Sequence, residues 1–253
     1  MVVMSSLATG LDVLRALAEP PFNYTLSELA TSMNIGRSGL YKILSQLREK
    51  NFVHQDRSSK KYHLGPVMLR MGNVYSGIIG IEKIAAPILS YLCKTIGESV
   101  YISIWEGDRA YPVFKCCRPD GIYDTKDFIG KSIPINAGAS AKLLAAFQNP
   151  EKVKKLLEKY ELDQRTPYTL TSIPEILEEF KAIRAQKYAV EDQSFSLGVW
   201  CMSIPIYGRN QEVTTCLSVG AHKKDVTDEK FALWLQQLNN GADEIGTQLQ
   251  LRR

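Results

Sequence analysis

Residues 26–47 read LSELATSMNIGRSGLYKILSQL and contain two helix signals on either side of a short turn. Thr25 precedes the stretch, and its spacing to Glu28 is that of a capping box, in which each side chain satisfies a backbone amide of the other residue. Ser27 is an alternative N-cap for the same helix. Either choice predicts a short first helix that ends near Met33.

The turn and the second helix complete a helix-turn-helix pattern. Asn34-Ile35-Gly36 contains two residues that tolerate a left-handed backbone, as a tight turn requires. A helix is then expected from about Arg37 to Lys50, and its inward-facing residues at helical spacing are Leu40, Ile43, Leu44 and Leu47. A preceding amphipathic helix, ended by Pro20-Pro21, supplies a third packing partner. Its apolar face holds Leu7, Leu11, Leu14 and Leu17.

The outer face of the second helix is polar and suits a nucleic acid. Its side chains offer donors and acceptors that can read base edges and phosphates in a major groove. Residues 52–55 and 61–64 are expected to form two strands with the polar stretch 56–60 as their turn, which makes a basic wing. The residues predicted to contact DNA are Ser27, Arg37, Ser38, Tyr41, Lys42, Gln46, Arg57, Lys60 and Lys61.

The charge distribution favours the same interpretation. The 253 residues carry a formal net charge of +4. Residues 1–64 hold eight basic and five acidic side chains, and therefore +3 of that charge. A small basic module joined to a nearly neutral body is typical of a polyanion reader with a second function. A surface helix pair with solvated charges is the alternative for the basic helix taken alone.

The remainder of the chain is expected to be a helical linker followed by a larger α+β domain. Apolar residues recur at helical spacing over 67–78, and this stripe could pack on its own domain or on a second copy of the chain. Hairpin-forming strands then alternate with covering helices, which predicts an antiparallel sheet. The expected division is a winged helix-turn-helix domain over 1–64, a linker helix over 65–80 and a larger domain over 81–253.

The five cysteines and three histidines give no disulfide or metal signature. An odd cysteine count without CxxC spacing fits reduced thiols, and no zinc-ligand spacing joins the histidines to them. No apolar stretch of about 18 residues is present, and the N-terminus lacks the regions of a signal peptide. We expect no cofactor, no metal and no membrane association, in a cytoplasmic protein.

The sequence resembles the IclR family of bacterial transcription regulators over nearly its full length. The matching segments are 26–30, 35–47, 62–65, 133–145, 188–201 and 203–206. Family members usually carry Thr and Arg where this chain has Gly39 and Lys42. Gly39 removes a hydroxyl contact and Lys42 lacks the bidentate fork of arginine, so the base contacts of the family do not transfer unchanged to these positions.

The resemblance implies a C-terminal GAF-like effector domain and a homodimer, or a dimer of dimers, on a double-stranded DNA operator. It also implies that amides near Ala139 and Ser140 hold a small organic acid, and a helix start with small residues suits a carboxylate on physical grounds. Side-chain contacts are expected from Glu191 or Asp192, Cys201 and Ser218. An apolar wall that limits ligand size is expected from Ile122, Ile133 and Val199.

Three functions follow as hypotheses. The leading one is a ligand-responsive repressor of a catabolic operon, relieved or modulated by a small organic acid, with activation of transcription as its variant. The acid could be sugar-derived, short aliphatic or aromatic, and the polarity of Asn136, Ser140 and Ser218 favours a hydroxylated, sugar-derived one. The second is an enzyme with Cys201 as nucleophile near Glu191 and His222 as base. No recognised nucleophile motif surrounds Cys201, so no catalytic residue is expected. The third is an interaction module whose helix-turn-helix binds protein.

Overall fold

The computed structural model describes residues 6–119 and 128–251. Contacts within the chain divide it into two compact units, Met1–Ile79 and Gly80–Arg253. The finer division into a DNA-binding domain, a linker helix and an effector domain stays a prediction.

The first unit is a set of helices with one small hairpin. Thr25 caps the second helix, because its hydroxyl accepts from the amide of Glu28 (3.3 Å) and the Glu28 carboxylate accepts from the amide of Thr25 (2.7 Å). The predicted capping box is therefore confirmed, with Thr25 rather than Ser27 as the cap. The elements are α1 (Ser6–Leu17), α2 (Leu26–Ser32), α3 (Arg37–Glu49), β1 (Val53–Gln55), β2 (Tyr62–Leu64) and α4 (Pro66–Ile79).

The core of this unit lies between α1, α2, α3 and the hairpin. Its fully buried members include Leu40 and Leu44 from α3 and Val13 from α1. Leu7 and Leu11 were expected to share that core, but they are 72% and 54% exposed. They line an open apolar groove between α1 and α3, because the buried residues of α1, namely Thr9, Gly10, Val13 and Leu17, lie on another side of that helix.

The second unit is built on a five-stranded antiparallel sheet in the order β4-β3-β7-β6-β5. The architecture confirms the predicted α+β class with hairpins and covering helices. The elements are α5 (Glu82–Ile96), β3 (Ser99–Glu106), β4 (Arg109–Cys116), α6 (Ala139–Ala146), α7 (Pro150–Lys159), α8 (Ile173–Gln186), β5 (Ala189–Asp192), β6 (Val199–Ile206), β7 (Thr215–His222) and α9 (Asp228–Leu251).

Helices cover both faces of this sheet. Cys216 joins the core beneath α6, α7 and α8, whereas its neighbour Leu217 faces α9, because successive strand residues point to opposite faces. Helix α5 continues through Pro87. No single helix in the described part of the chain is long and apolar enough to cross a membrane. By length and composition alone, one bent pair, Pro66–Gly77 with Glu82–Ile96, could do so.

Candidate functional site

The predicted DNA-contacting side chains of α3 lie on its exposed face. Leu40 and Leu44 are fully buried on the opposite side, so the packing of the helix fixes which residues face outward. Residues spaced by four along a helix share a face. The exposed side chains on this face are Arg37, Ser38, Tyr41, Lys42 and Gln46, and Ser27 of α2 is exposed as well.

The turn of the wing is shaped by one aspartate. Asp56 Oδ1 accepts from the hydroxyl of Ser58 (2.6 Å) and from the amide of Ser59 (2.7 Å). These hydrogen bonds favour the ionised form and hold the pKa of Asp56 well below its ordinary value. Arg48 of α3 donates to the side chain of Gln55 (2.9 Å), so a hydrogen bond joins β1 to α3.

The basic side chains of the wing differ in exposure. Arg57 and Lys60 are exposed, whereas Lys61 is half-buried and its ammonium donates to Asn23 Oδ1 (3.1 Å). Exposed lysine and arginine side chains on a hairpin are free to meet the phosphates of a duplex. The wing therefore presents two unhindered positive charges and one that is already engaged within the unit.

The hairpin also brings two histidines together, although their sequence spacing gave no such signal. His54 and His63 are directly opposed in the β1–β2 register, and their ring centroids are 5.0 Å apart. His63 Nδ1 lies 2.9 Å from the carbonyl oxygen of Leu64. Over residues 6–119 and 128–251, no group of three or more His, Cys, Asp or Glu side chains is placed to hold a metal ion.

A cavity of about 250 Å³ lies in the second unit, between the start of α6 and the inner strands of the sheet. Most of its wall is apolar or aromatic, and polar side chains enter at a few places. The aromatic and aliphatic wall includes Tyr101, Phe128, Ile133, Pro134 and Phe195. The polar groups at the wall include Lys131, Ser140, Arg165, Glu191 and Cys201.

The start of α6 forms one polar end of the cavity. Gly138, Ala139 and Ser140 all line it, and the first amides of a helix have no partner within the helix. The Ser140 hydroxyl is completely buried and has no hydrogen-bond partner among the described residues. Gly138 is required here, because a Cβ at this position would lie 2.1 Å from Cγ2 of Ile133. This arrangement suits a carboxylate group.

Glu191 and Cys201 form a second polar group at the wall. They are paired in the β5–β6 register and are 1% and 2% exposed. One carboxylate oxygen of Glu191 accepts from the amide of Phe195 (2.9 Å), and the other has no partner among the described residues. Burial raises the pKa of Glu191 above its ordinary value, because the charged carboxylate loses its hydration there.

Two family models match the chain. The model described as the IclR helix-turn-helix domain matches residues 6–57, which include α1, α2, α3 and the first strand of the wing, β1. The model described as the bacterial transcriptional regulator IclR C-terminal matches residues 75–247, more than half of the chain. The chain belongs to the IclR family. It is therefore a DNA-binding transcriptional regulator, as the resemblance implied.

Individual relatives of this IclR-family chain agree with that conclusion. It is 26% identical over 246 residues to the DNA-binding transcriptional repressor YiaJ of Escherichia coli, covering 96% of this chain and 87% of that protein. The crystal structure of Thermotoga maritima IclR aligns with a TM-score of 0.77 at 26% identity, over 97% of this chain and 98% of that one. An IclR homolog from Microbacterium hydrocarbonoxydans, solved with 4-hydroxybenzoate, aligns with a TM-score of 0.82 at 16% identity, over 98% and 100%, and shares the fold.

Four of the predicted effector-binding residues of this IclR-family chain line the cavity, namely Ala139, Ser140, Glu191 and Cys201. Asp192 does not, since it follows Glu191 on β5, points to the other face of the sheet and pairs with Lys223. Ser218 lies behind the wall, opposite Tyr101 in the β3–β7 register, and its hydroxyl is 2.7 Å from that of Ser203.

Only some of the residues predicted to form an apolar wall line the cavity, and several residues that do line it were not predicted. Ile133 lines the cavity and Val199 does not, while Ile122 lies outside the described residues. The sequence analysis did not predict Arg165. Its Nε donates to the backbone carbonyl of Phe195 (3.2 Å), and its guanidinium lies 4.4 Å from the centre of the Phe195 ring. No periodicity or motif surrounds Arg165, so nothing local marked it.

The enzyme hypothesis requires His222 beside Cys201. The structure brings Cys201 and Glu191 together, but His222 lies at the end of β7, opposite Val199, and is exposed. It does not line the cavity. The IclR-family relatives are named as transcriptional regulators, which are not enzymes.

Proposed function

We propose that this IclR-family regulator represses a catabolic operon from the cytoplasm, and that a small organic acid in the cavity changes its hold on the operator. The observation that carries the proposal is the start of α6, where Ala139 and Ser140 line the cavity and the buried Ser140 hydroxyl has no hydrogen-bond partner among the described residues. Repression is supported by relatives named as repressors, YiaJ and AllR. Activation of transcription through the same two sites is the alternative.

The DNA-reading half of the proposal divides the exposed residues by role. The wing supplies phosphate contacts from Arg57 and Lys60, and the outer face of α3 reads bases. Lys60→Ala should weaken binding to every duplex and reduce the salt dependence by about one counterion. Arg37→Ala should instead lose discrimination between the operator and a mutated operator. Equal discrimination by the Arg37 variant and the wild type would remove its base-reading role.

The effector half of the proposal concerns the chemistry of the acid. Its carboxylate is held by the amides of Ala139 and Ser140, and a hydroxyl at its other end meets Glu191 and Cys201. Aromatic walls favour an aromatic acid, and the 4-hydroxybenzoate bound by the Microbacterium homolog supports this class. A sugar-derived acid has the same two ends, and a short aliphatic acid has the carboxylate alone; these are the alternatives. Asp192 and Ser218 do not line the cavity and make no contact with the acid in this proposal.

We also propose a homodimer, or a dimer of dimers, as the working form. Helix-turn-helix readers bind paired half-sites, so two copies must be held at a fixed spacing. Helix α4 carries an unusually apolar exposed face for a partner copy. Its members include Met71 (51% exposed), Val74 (58%) and Tyr75 (43%), which share one side of the helix, whereas Leu69 (70%) is exposed on another side. An acid that prefers one arrangement of the two copies would change operator affinity by that preference alone.

The test is fluorescence anisotropy of the full-length protein on DNA from upstream of its own gene and the neighbouring genes. Salt is titrated, and a panel of aliphatic, hydroxylated and aromatic acids is added. We expect tight, salt-sensitive binding to one fragment and a change in affinity with one class of acid. Ser140→Ala should abolish the response to the acid and leave DNA binding intact. Failure to bind any fragment, with or without acids, would contradict the proposal.

A further inference from the structure

Lys142 is the only charged residue of α6, and it is buried with the rest of that helix. The whole side chain is 5% exposed, one turn from the amides that face the cavity. Removing an ammonium from water is costly unless partners compensate it, and an apolar side chain of similar length would avoid that cost. The position therefore requires an explanation beyond packing.

The ammonium of Lys142 has two partners on different segments. It lies 2.9 Å from Glu179 Oε1 on α8 and 3.5 Å from the hydroxyl of Ser194. The Ser194 hydroxyl in turn donates to the carbonyl of Ala137 (2.7 Å), in the turn that leads into α6. Lys142 thus contacts, through one serine, the turn that precedes the amides proposed to bind the carboxylate.

The same serine is tied to a second wall of the cavity. The hydroxyl of Thr169 donates to the carbonyl of Ser194 (2.6 Å), and that of Thr166 donates to the carbonyl of Gln193 (2.7 Å). Thr166 directly follows Arg165, which lines the cavity. The loop that carries Arg165 and the turn before α6 therefore meet at Ser194, which is held by the ammonium.

The charge of Lys142 also acts on the cavity wall. Its positive charge opposes the rise that burial causes in the pKa of Glu191, so its field extends to a side chain that lines the cavity. The ion pair directs its positive end toward Ser194 and its negative end toward α8. A ligand at the start of α6 would meet the positive end first.

We propose that Lys142 is a positioning residue for the effector, which holds the turn before α6 through Ser194 and makes the cavity prefer a carboxylate over an uncharged amide of the same shape. This inference rests on the proposed role of the cavity as the effector site. It assigns ligand charge selection to a side chain outside the cavity, which the ligand does not touch.

The test compares isosteric pairs of probes, benzoate with benzamide and lactate with lactamide, by calorimetric titration into the full-length protein. Wild type should bind at least one acid more tightly than its amide. In Lys142→Met this acid-over-amide ratio should fall about tenfold, the size of one unit charge acting over roughly 12 Å at an effective dielectric constant near 20. The affinity for the amide should change little, whereas a purely structural role would weaken both probes alike.

Matched variants keep the inference open to refutation. Lys181→Met removes the lysine of an exposed pair on α8, 2.7 Å from Glu178, and should leave the ratio unchanged. Glu179→Gln removes the negative partner of Lys142 and should raise the ratio. Lys142→Gln keeps a donor for Ser194, and if neither Lys142 variant folds, Glu179→Gln decides alone.

Each outcome bears on a defined claim. An unchanged ratio in the Lys142 variants, or an unchanged or lower ratio in Glu179→Gln, overturns the role of Lys142 while acid binding still supports the effector site. If wild type binds none of the acids, the effector site and the inference both fail. A lower ratio with intact amide binding supports both.

Discussion

The two units hold their functional polar groups in opposite ways. On α3 and the wing, the side chains proposed to contact DNA are mostly exposed, and the core beneath them is apolar. In the second unit, Ser140, Glu191 and Cys201 are no more than 2% exposed and belong to the interior. Function and stability therefore depend on different residues in the first unit and on the same residues in the second.

The largest expected effect separates the stability of the two units. Leu44→Ala removes a fully buried side chain from α3 and should cost about 3 kcal/mol, or roughly 10 °C or more in a unit of this size. Trp105, Trp200 and Trp234 all lie in the second unit. Helical ellipticity should therefore acquire an earlier transition while the midpoint from tryptophan fluorescence stays in place.

Leu144→Ala is the matched control for that prediction, because Leu144 is fully buried in α6. It should move the tryptophan transition and leave the first unit folded and able to bind DNA. A common shift of both signals in either variant would show that the two units unfold together, and the comparison would lose its meaning.

A smaller effect contrasts two ion pairs that α8 makes. Lys142→Met leaves Glu179 without its partner, in a site where the glutamate side chain is 27% exposed. The free energy of unfolding should fall by about 2 kcal/mol, less than the roughly 3–5 kcal/mol expected when a fully buried pair is broken. Lys181→Met breaks a pair exposed by 65% and 73%, and should cost under about 0.5 kcal/mol. Urea unfolding followed by tryptophan fluorescence measures both. Equal costs would mean that the enclosed pair is already well solvated.

A substitution on the exposed face of α3 is expected to increase the stability of the first unit. Gly39 lies inside α3, is exposed, and a Cβ there would meet nothing within 4 Å. Gly39→Ala should stabilise the first unit by about 0.5–1 kcal/mol, because alanine loses less backbone entropy in a helix. The first ellipticity transition should rise accordingly. If DNA affinity falls at the same time, the absence of a side chain at residue 39 serves recognition.

The smallest expected effect is a dependence on pH. Burial raises the pKa of Glu191 above the ordinary value of 4.5, so the folded state holds this proton more tightly than the unfolded state. The stability that Glu191 contributes is therefore complete below 4.5 and declines as pH rises through the raised pKa. Glu191→Gln should flatten the pH profile of the melting temperature. An unchanged profile in Glu191→Gln would show that this carboxyl does not set the pH dependence.

The first unit was readable from the sequence because its signals are local. The capping box of Thr25 and Glu28, the turn at 34–36 and the apolar spacing of α3 all lie within 23 residues. Tertiary packing changed only the role of Leu7 and Leu11. Helix α7 was missed although Asn149 and Pro150 mark its start, so that omission was avoidable.

The cavity was only half readable, because strand register and loop packing build it. Ala139 and Ser140 were found from a helix start, which is a local feature. The pairing of Glu191 with Cys201 depends on the β5–β6 register, and Tyr101 faces the cavity through a strand far away in sequence. Asp192 shows the limit of the method, since one step along a strand reverses the face.

One glycine at the end of the wing matters to anyone who would build hybrid sensors from this regulator. A Cβ on Gly65 would lie 2.2 Å from the carbonyl oxygen of Asn51, and the Gly65 amide already donates to Phe52 (2.7 Å). The chain that follows the wing is thus packed as part of the first unit and is not a flexible linker. A chimera that joins this first unit to the effector domain of another regulator should have its junction after Ile79. A junction at Gly65 should leave the first unit poorly folded.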